Sequence, residues 1–298
     1  MRRRPLHQRL GRAAKLAWRE ISGSGRSSDY SGAGVNRLLL DWIAHARPAD
    51  DEVRRSIKLL RARARELARD NGYVKRYLRM LTNNVIGPAG MMLQAQGRSG
   101  TAPDTAANEK IETAWADWAN SPVTVDGKLT LRRFEKLILK TLACDGECLI
   151  RMWRAFEGNR YGLALQAIDA DLLDETFNRP RQGQINEIRM GIEVDALGRV
   201  LGYHVWNTTN SFGDIVPRER YFVPAGEMLH LYDPDRVNQT RGVTWIHAVM
   251  VPAHMLNAYE ESEAVAARIG ASQMGIWEKK TDGMGADLTT TTAPGGGM

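Results

Sequence analysis

The chain has 298 residues, of which 43% are hydrophobic and 26% charged, so it can bury the core of one large or two modest domains and is not a wholly disordered protein. Its 41 lysines and arginines outnumber its 35 acids, and the net charge of +6 permits a polyanionic partner without identifying one. Two cysteines, Cys144 and Cys148, exclude a disulfide framework and favour a reducing compartment, and no apolar run of about 18 residues predicts a membrane span.

The N-terminal segment, residues 1–47, is rich in arginine and contains a Ser/Gly tract from Ser22 to Gly34. Its few apolar residues do not predict a packed element, so we interpret it as a flexible basic arm and linker. It also lacks the apolar centre of a secretory signal peptide. Two interpretations stay open, a terminus without a role and an arm that contacts nucleic acid or a partner subunit.

Two helices are predicted next. Apolar residues recur at three- and four-residue steps from Val53 to Ala68, the acids from Asp50 to Glu52 suit a first turn, and Asn71-Gly72 is a typical helix end. A second helix is predicted from Tyr73 to about Val85. The positions predicted to face inward are Val53, Ile57, Leu60, Ala64, Leu67 and Ala68 in the first helix, then Val74, Tyr77, Leu78, Leu81 and Val85 in the second.

The first helix also carries a row of arginines on the surface outside its apolar stripe. A solvated helix face is one interpretation of this row, and a face that follows a phosphate backbone is the other. The residues in the row are Arg54, Arg55, Arg61, Arg63, Arg65 and Arg69.

Between residues 92 and 144 the patterns are mostly helical. We expect Ile111, Trp115 and Trp118 on one side of a helix, and Phe134, Leu137, Ile138 and Leu142 as the buried stripe of the next. The predicted elements are a short strand at Met92–Ala95, a loop at Gly97–Asp104, a helix at Asn108–Trp118, a turn at Asp126-Gly127, and a helix from Leu131 to about Cys144 capped by Thr130.

From Glu147 to Asp235 the residues alternate or form short apolar runs, which indicates strands. Helices, then antiparallel strands, then a further helix predict an α+β fold. The predicted strands are Cys148–Trp153, Leu163–Ile168, Glu187–Val194, Val200–Trp206 and Met228–Leu231, with hairpin turns at Gly158-Asn159 and Ala196–Gly198.

A long Ala-rich helix is predicted over Gln239–Lys280. One continuous helix from Trp245 to Trp277 would measure about 50 Å, which exceeds a small domain, so Pro252 is a candidate kink. The helix is either an internal, two-part element of one domain or an element that contacts other subunits. The small residues that would allow such a contact are Ala264, Ala266, Ala267, Gly270 and Ala271.

The sequence predicts no catalytic constellation. We interpret Cys144 and Cys148 as buried apolar residues, because no histidine or second cysteine pair lies near them to complete a zinc site. The flanking Asp145 and Glu147 lie where a helix turns into a strand and can bind a neighbouring arginine. A nucleophile elbow, a Walker phosphate loop and a dinucleotide-binding glycine motif are all missing, so we predict neither an enzyme nor a cofactor.

Several segments in a consistent order resemble the lambda family of phage portal proteins. The similarity runs from about Leu38 to Trp277, which makes it more specific than any one motif. The segments are Arg61–Tyr73 with Leu81–Gly87, Cys144–Arg151 with its Asp-Gly-Glu step into a strand, Leu165–Leu173, Gly191–Arg199, and Val223–Leu231 followed by Arg241–Trp245.

The resemblance implies a portal-like fold and a structural function in a ring of about twelve copies at one vertex of a phage head. Double-stranded DNA would pass through its channel. The implied partners are other copies of the chain, the DNA, the terminase large subunit, the major capsid or scaffold protein and a head–tail adaptor, with no membrane. The implied location is the virion, and the host cytoplasm during assembly. Family members continue further, so we expect this chain to lack their C-terminal part.

We therefore divide the chain into the arm (1–47), a wing-like helix-plus-sheet body (48–235), the long helix (236–280) and a disordered tail (281–298). Two alternatives to a portal protomer stay open, a basic nucleic-acid-binding module that forms no ring, and a metal-dependent hydrolase built from the histidines and acids of the sheet region. Arg54, Arg61, Arg65, Arg241, Lys279 and Lys280 are predicted to face nucleic acid, and Ala264, Ala267, Gly270 and Ala271 to contact a neighbouring subunit.

Overall fold

The computed structural model describes residues 46–207 and 219–272, so the predictions for the arm, the tail, Lys279 and Lys280 lie outside the described residues. The described helices are α1 (Ala49–Asp70), α2 (Gly72–Val85), α3 (Thr105–Asn120), α4 (Leu131–Asp145) and α5 (Met250–Ser272). The described strands are β1 (Arg98–Ser99), β2 (Ala102–Pro103), β3 (Glu147–Arg154), β4 (Leu163–Ile168), β5 (Glu187–Arg189), β6 (Ile192–Val194), β7 (Val200–Trp206), β8 (Arg220–Pro224) and β9 (Met228–Tyr232). The predicted α+β class is confirmed.

The two N-terminal helices form where the apolar spacing predicts them. Asn71 ends α1 and also caps α2, because its side chain accepts a hydrogen bond of 2.9 Å from the backbone N–H of Val74. Three residues predicted to face inward, Tyr77, Val85 and Leu137, are instead 41–59% exposed. Neighbouring elements cover only a narrow stripe of each helix, and these residues lie beside that stripe.

The predicted strand at Met92–Ala95 is wrong. Two backbone amides at its ends are bound by side chains rather than by a strand, since Glu112 accepts from Ala95 N–H at 2.9 Å and Glu135 accepts from the N–H of the preceding Met91 at 3.1 Å. The following loop instead contains the two-residue hairpin of β1 and β2.

Three strands form one antiparallel sheet in the order β4-β3-β9, and four form another in the order β5-β6-β7-β8. The predicted single strand Glu187–Val194 is divided into β5 and β6 by a turn at Met190-Gly191, where both residues have positive φ (47° and 84°). The apolar alternation continues through this turn, which is why the sequence pattern did not show it. Strand β8 was not predicted, and it ends at Pro224 on the edge of its sheet.

The molecule is built in layers. Residues from both sheets form one core cluster, which includes Leu149, Ile192 and Val205. On its other face, the three-stranded sheet packs Cys148 and Ile150 against residues of α3 and α4. A third cluster joins α1, α2 and the end of α4 to the start of α5. The three-stranded sheet is therefore covered on both faces, by helices on one side and by the second sheet on the other.

Helix α5 begins at Met250, so the described structure does not contain the predicted continuous helix from Trp245. A short 3₁₀ turn, His247–Val249, precedes it. Pro252 lies in the first turn of α5, where a backbone donor has no partner within the helix, so it starts this helix rather than kinking it.

Two glycines permit a close crossing of backbones between the α4–β3 turn and the segment that leads to α5. Gly146 ends α4 with a φ of 87°, in the left-handed region. A Cβ on Gly146 would overlap the backbone of Val243 and Thr244, and one on Gly242 would overlap the carbonyl of Gly146. Any side chain at either position forces the two segments apart.

This crossing predicts a large effect of Gly146→Ala. The substitution combines a left-handed conformation with backbone overlap, so we expect it to lower the free energy of unfolding by about 3 kcal/mol or more. Gly226→Ala is the matched control, because a Cβ there meets nothing within 4 Å. Urea titration followed by circular dichroism measures both, and equal stability of the two variants would contradict the close crossing.

Candidate functional surfaces

A buried ion network surrounds Glu147, the first residue of β3. Glu147 and Arg241 are 0% exposed and Arg61 is 1% exposed. Arg61 Nη2 lies 2.8 Å from Glu147 Oε1, Arg241 Nε lies 2.8 Å from both carboxylate oxygens, and His230 Nε2 lies 3.0 Å from Oε2. One carboxylate thus joins α1, β3, β9 and the segment before α5.

Arg241 also holds the loops of the sheets. Its guanidinium donates to the backbone carbonyls of Met190 at 2.9 Å, Ala170 at 3.2 Å and Leu173 at 3.4 Å. A planar guanidinium with five donors can serve a carboxylate and several carbonyls together, which a lysine cannot do.

Arg65, one turn after Arg61 on the same face of α1, extends the network outward. It binds Asp145 through two nitrogens at 2.8 and 2.9 Å, Asp169 at 2.7 Å and Asp171 at 2.5 Å. Arg61 shares Asp171 at 2.5 Å. The sequence analysis placed Asp145 and Glu147 at a helix-to-strand turn where they could bind an arginine, and this prediction is confirmed.

The network explains the electrostatics of its members. Burial by itself raises the pKa of Glu147, but the charge of Arg241 and the hydrogen bonds from His230 and Arg241 outweigh it, so that pKa lies well below its usual range. Burial also raises the pKa of Cys144 to about 11 and that of Cys148 to about 12. Both thiols are buried, as predicted, and stay protonated at neutral pH.

The structure corrects the positions of two residues predicted to face nucleic acid. Arg61 and Arg241 lie inside the protein and bind Glu147, so neither is available to a phosphate backbone in this structure. The spacing argument placed Arg61 on the solvated face of α1 because it assumed that charged residues are exposed. Arg61 is buried instead because it pairs with Glu147 of β3. Arg65 is 34% exposed but is bound by three aspartates.

Other basic residues do form an exposed surface on α1 and α2. Arg54, which was predicted to face nucleic acid, is 49% exposed and binds only Asp51 among the described residues. Its role with nucleic acid stays a prediction. The exposed basic residues of the two helices are Arg54, Arg55, Lys58, Arg63, Arg69, Lys75, Arg76 and Arg79.

Among the described residues, helix α5 packs on the body through its first turns and accepts one further hydrogen bond, from Tyr73 to Glu260. Met250 is buried, and the Asn71 side chain donates to the carbonyl of Ala253 at 3.3 Å and to Asn257 Oδ1 at 2.9 Å. Every residue from Ala258 to Ser272 is exposed. The predicted subunit contact therefore lies on an exposed helix that holds Ala264, Ala267, Gly270 and Ala271, and a Cβ on Gly270 would meet nothing within 4 Å.

Over residues 46–207 and 219–272, no group of three or more His, Cys, Asp or Glu side chains could hold a metal ion. His247 Nδ1 lies 2.9 Å from the carbonyl of Thr244, and His254 is exposed on α5. No described helix is long and apolar enough to cross a membrane.

Comparison with known proteins gives consistent matches. The sequence model of the family described as "Phage portal protein, lambda family" matches residues 36–296. The "Probable portal protein" of Halomonas phage phiHAP-1 is 33% identical over 293 residues, which are 93% of this chain and 56% of that protein. "Portal protein B" of Escherichia phage lambda is 20% identical over 84% of this chain and 49% of its own length, and the "Portal protein" of Escherichia phage N15 is 22% identical over 92% and 52%. The chain spans about half the length of these curated relatives.

The buried network predicts that Glu147→Gln is severely destabilising. The substitution leaves Arg61 and Arg241 without a full counter-charge, and breaking a buried ion pair from one side costs about 3–5 kcal/mol. Glu227→Gln is the matched control, because Glu227 pairs with Arg151 at 2.9 Å but is 43% exposed, and a surface pair contributes at most about 1 kcal/mol. Denaturant unfolding at pH 7 measures both variants.

The stability difference between the wild type and Glu147→Gln should depend on pH in a definite direction. The folded pKa of Glu147 is lowered, so its contribution is complete above the unfolded pKa and is lost as the pH falls through the acid range. The difference between the wild type and Glu147→Gln should shrink below about pH 4. Equal losses for Glu147→Gln and Glu227→Gln at pH 7 would contradict a buried network.

Proposed function

Because the chain belongs to the lambda family of phage portal proteins, we propose that it is a portal protomer that joins about twelve copies of itself in a ring at one vertex of a phage head. Double-stranded DNA passes through the channel of this ring when the genome is packaged and ejected. The family match over residues 36–296 carries the proposal, because it includes all of the described fold.

The described structure supports an assembling role through its last helix. Residues Ala258 to Ser272 are helical and each of them is exposed, although an isolated helix of this length is marginally stable in water. A helix of this kind gains stability when it packs against another surface. We propose that a neighbouring copy supplies that surface.

The remaining partners follow from the proposed place of the protein in the virion. They are the terminase large subunit, the major capsid or scaffold protein and a head–tail adaptor, met during assembly in the host cytoplasm. The proposed role is structural and uses no cofactor. The buried, protonated thiols agree with this role, since neither is a nucleophile at neutral pH.

Contact with DNA is proposed to be independent of sequence. A channel that passes a whole genome must not hold any one sequence, so base-edge contacts would impede it, whereas phosphates offer a uniform target. The exposed basic residues of α1, with Arg54 as the predicted member, supply suitable side chains. Arg61 and Arg241 do not belong to this surface because they are buried.

The proposed ring predicts that the wild type assembles into particles of high mass and that a substitution in the subunit contact prevents this assembly. Ala267 is an exposed small residue on α5, and Ala267→Leu should overpack a close helix contact at about 1–3 kcal/mol per interface, a cost that the ring repeats. Mass photometry and negative-stain imaging should show rings for the wild type and mainly protomers for the variant, with unchanged thermal unfolding of the protomer. A wild-type protein that stays monomeric at high concentration would contradict the proposed ring.

The DNA contact predicts equal affinity for unrelated duplexes. Binding to several duplexes of one length should agree within a few-fold and weaken steeply as salt is raised, because counterions are released from phosphates. Arg54→Glu with Arg55→Glu should weaken binding to every duplex alike. A strong preference for one duplex that survives high salt, in a protein that forms no ring, would favour the alternative of a basic nucleic-acid-binding module.

A further inference from the structure

Helix α5 carries an exposed apolar row on the side that faces away from the body. Val251, Met255, Tyr259, Val265 and Ile269 are each 47–65% exposed. At 3.6 residues per turn they fall within an arc of about 120°. The residues that meet α1 and α2, Met250, Ala253 and Asn257, lie on the opposite side of the helix.

Acidic residues flank this row. Glu261 and Glu263 lie one on each side of it, and both are exposed on the part of α5 that leaves the body. Neither forms an ion pair within the described ranges 46–207 and 219–272. An apolar row edged by carboxylates selects a partner surface that is apolar in its centre and basic at its margin.

Helix α2 presents a surface of that kind. Tyr77 and Met80 are 41% and 50% exposed and neighbour one another on the outer side of the helix. Arg76 and Arg79 stand beside them, also exposed, and without an ion pair in the described part of the chain. The helix sequence, Gly72 to Val85, contains no acid, so every charged residue on its outer face is basic.

Within one copy these two surfaces do not cover each other. Tyr73 at the start of α2 donates a hydrogen bond to Glu260 of α5. Among the described side chains, this is the one hydrogen bond between α2 and the part of α5 that follows Asn257. Beyond it, residues 261–272 of α5 and the Tyr77–Met80 surface of α2 are both exposed. If the α5 helices of two copies paired through their apolar rows, Glu261 and Glu263 of one copy would lie near the same acids of the other. Repulsion between these like charges opposes such pairing.

We propose that the apolar row of α5 in one copy docks on the Tyr77–Met80 surface of α2 in a second copy of this chain. The contact joins two different surfaces, which is the head-to-tail arrangement that closes into a ring. Arg76 and Arg79 of one copy then face Glu261 and Glu263 of the next. This inference rests on the proposed function and assigns one contact of its repeated interface. Ala264, Ala267 and Ala271 lie on the other side of α5, so the contact proposed for Ala267 is a separate one.

Charge reversal tests the inference. Glu261→Arg with Glu263→Arg and, separately, Arg76→Glu with Arg79→Glu should each convert the assembled wild type mainly to protomers. All four residues are exposed, so the unfolding transition of the protomer should not move. The matched control is Glu109→Arg with Glu157→Arg, which changes the net charge as the first variant does but on exposed acids elsewhere, and it should assemble like the wild type.

Two rescue experiments separate a contact between copies from one within a copy. A chain with all four reversals should assemble again, and so should an equimolar mixture of the two reversed variants, because each supplies the surface that the other needs. Native mass spectrometry should then find both variants in equal numbers in every particle.

Assembly of both reversed variants at the wild-type level would overturn the inference while leaving the proposed ring intact. Rescue by the four-fold variant but not by the mixture would place the contact within one copy and would also overturn it. A wild type that never assembles would remove the proposed function and the inference together.

Discussion

The structure depends on one carboxylate, that of Glu147, enclosed by Arg61, Arg241 and His230 at distances of 2.5–3.0 Å. A buried charge is costly unless its partners are complete, so this group tolerates only one relative position of the elements that supply them. In sequence, Arg61 lies 86 residues before Glu147, and Arg241 lies 94 residues after it. The network therefore determines the position of α1 against the sheets more than it adds to net stability.

The buried network also positions α5, through the short segment that joins Arg241 to the start of this helix. The segment after Arg241 crosses the α4–β3 turn at Gly146, and the backbone N–H of Trp245 then donates to the carbonyl of Ala143 at 3.1 Å. Met250 and Ala253 pack beside Asn71, which fixes the first turns of α5. The direction in which the exposed part of this helix leaves the body is thus set by buried contacts, which is what a repeated interface between subunits requires.

Much of the fold could be predicted from the sequence because the helices and most strands are strongly periodic. The turn at Met190-Gly191 and the start of α5 at Met250 could not, since local patterns continue smoothly through both. Among the site residues, spacing alone identified Asp145 and Glu147 as partners for an arginine. It misplaced Arg61, because whether an arginine is solvated or buried depends on an acid that lies far away in sequence.

The central claim is that the body folds by itself and that a neighbouring copy covers the exposed part of α5. Hydrogen exchange measured on dilute protomers and on the assembled protein tests it most directly. Amides of residues 261–272 should exchange rapidly in protomers and slowly in the assembly, whereas those of α1 should be protected in both. Equal exchange of residues 261–272 in the two states would contradict the account.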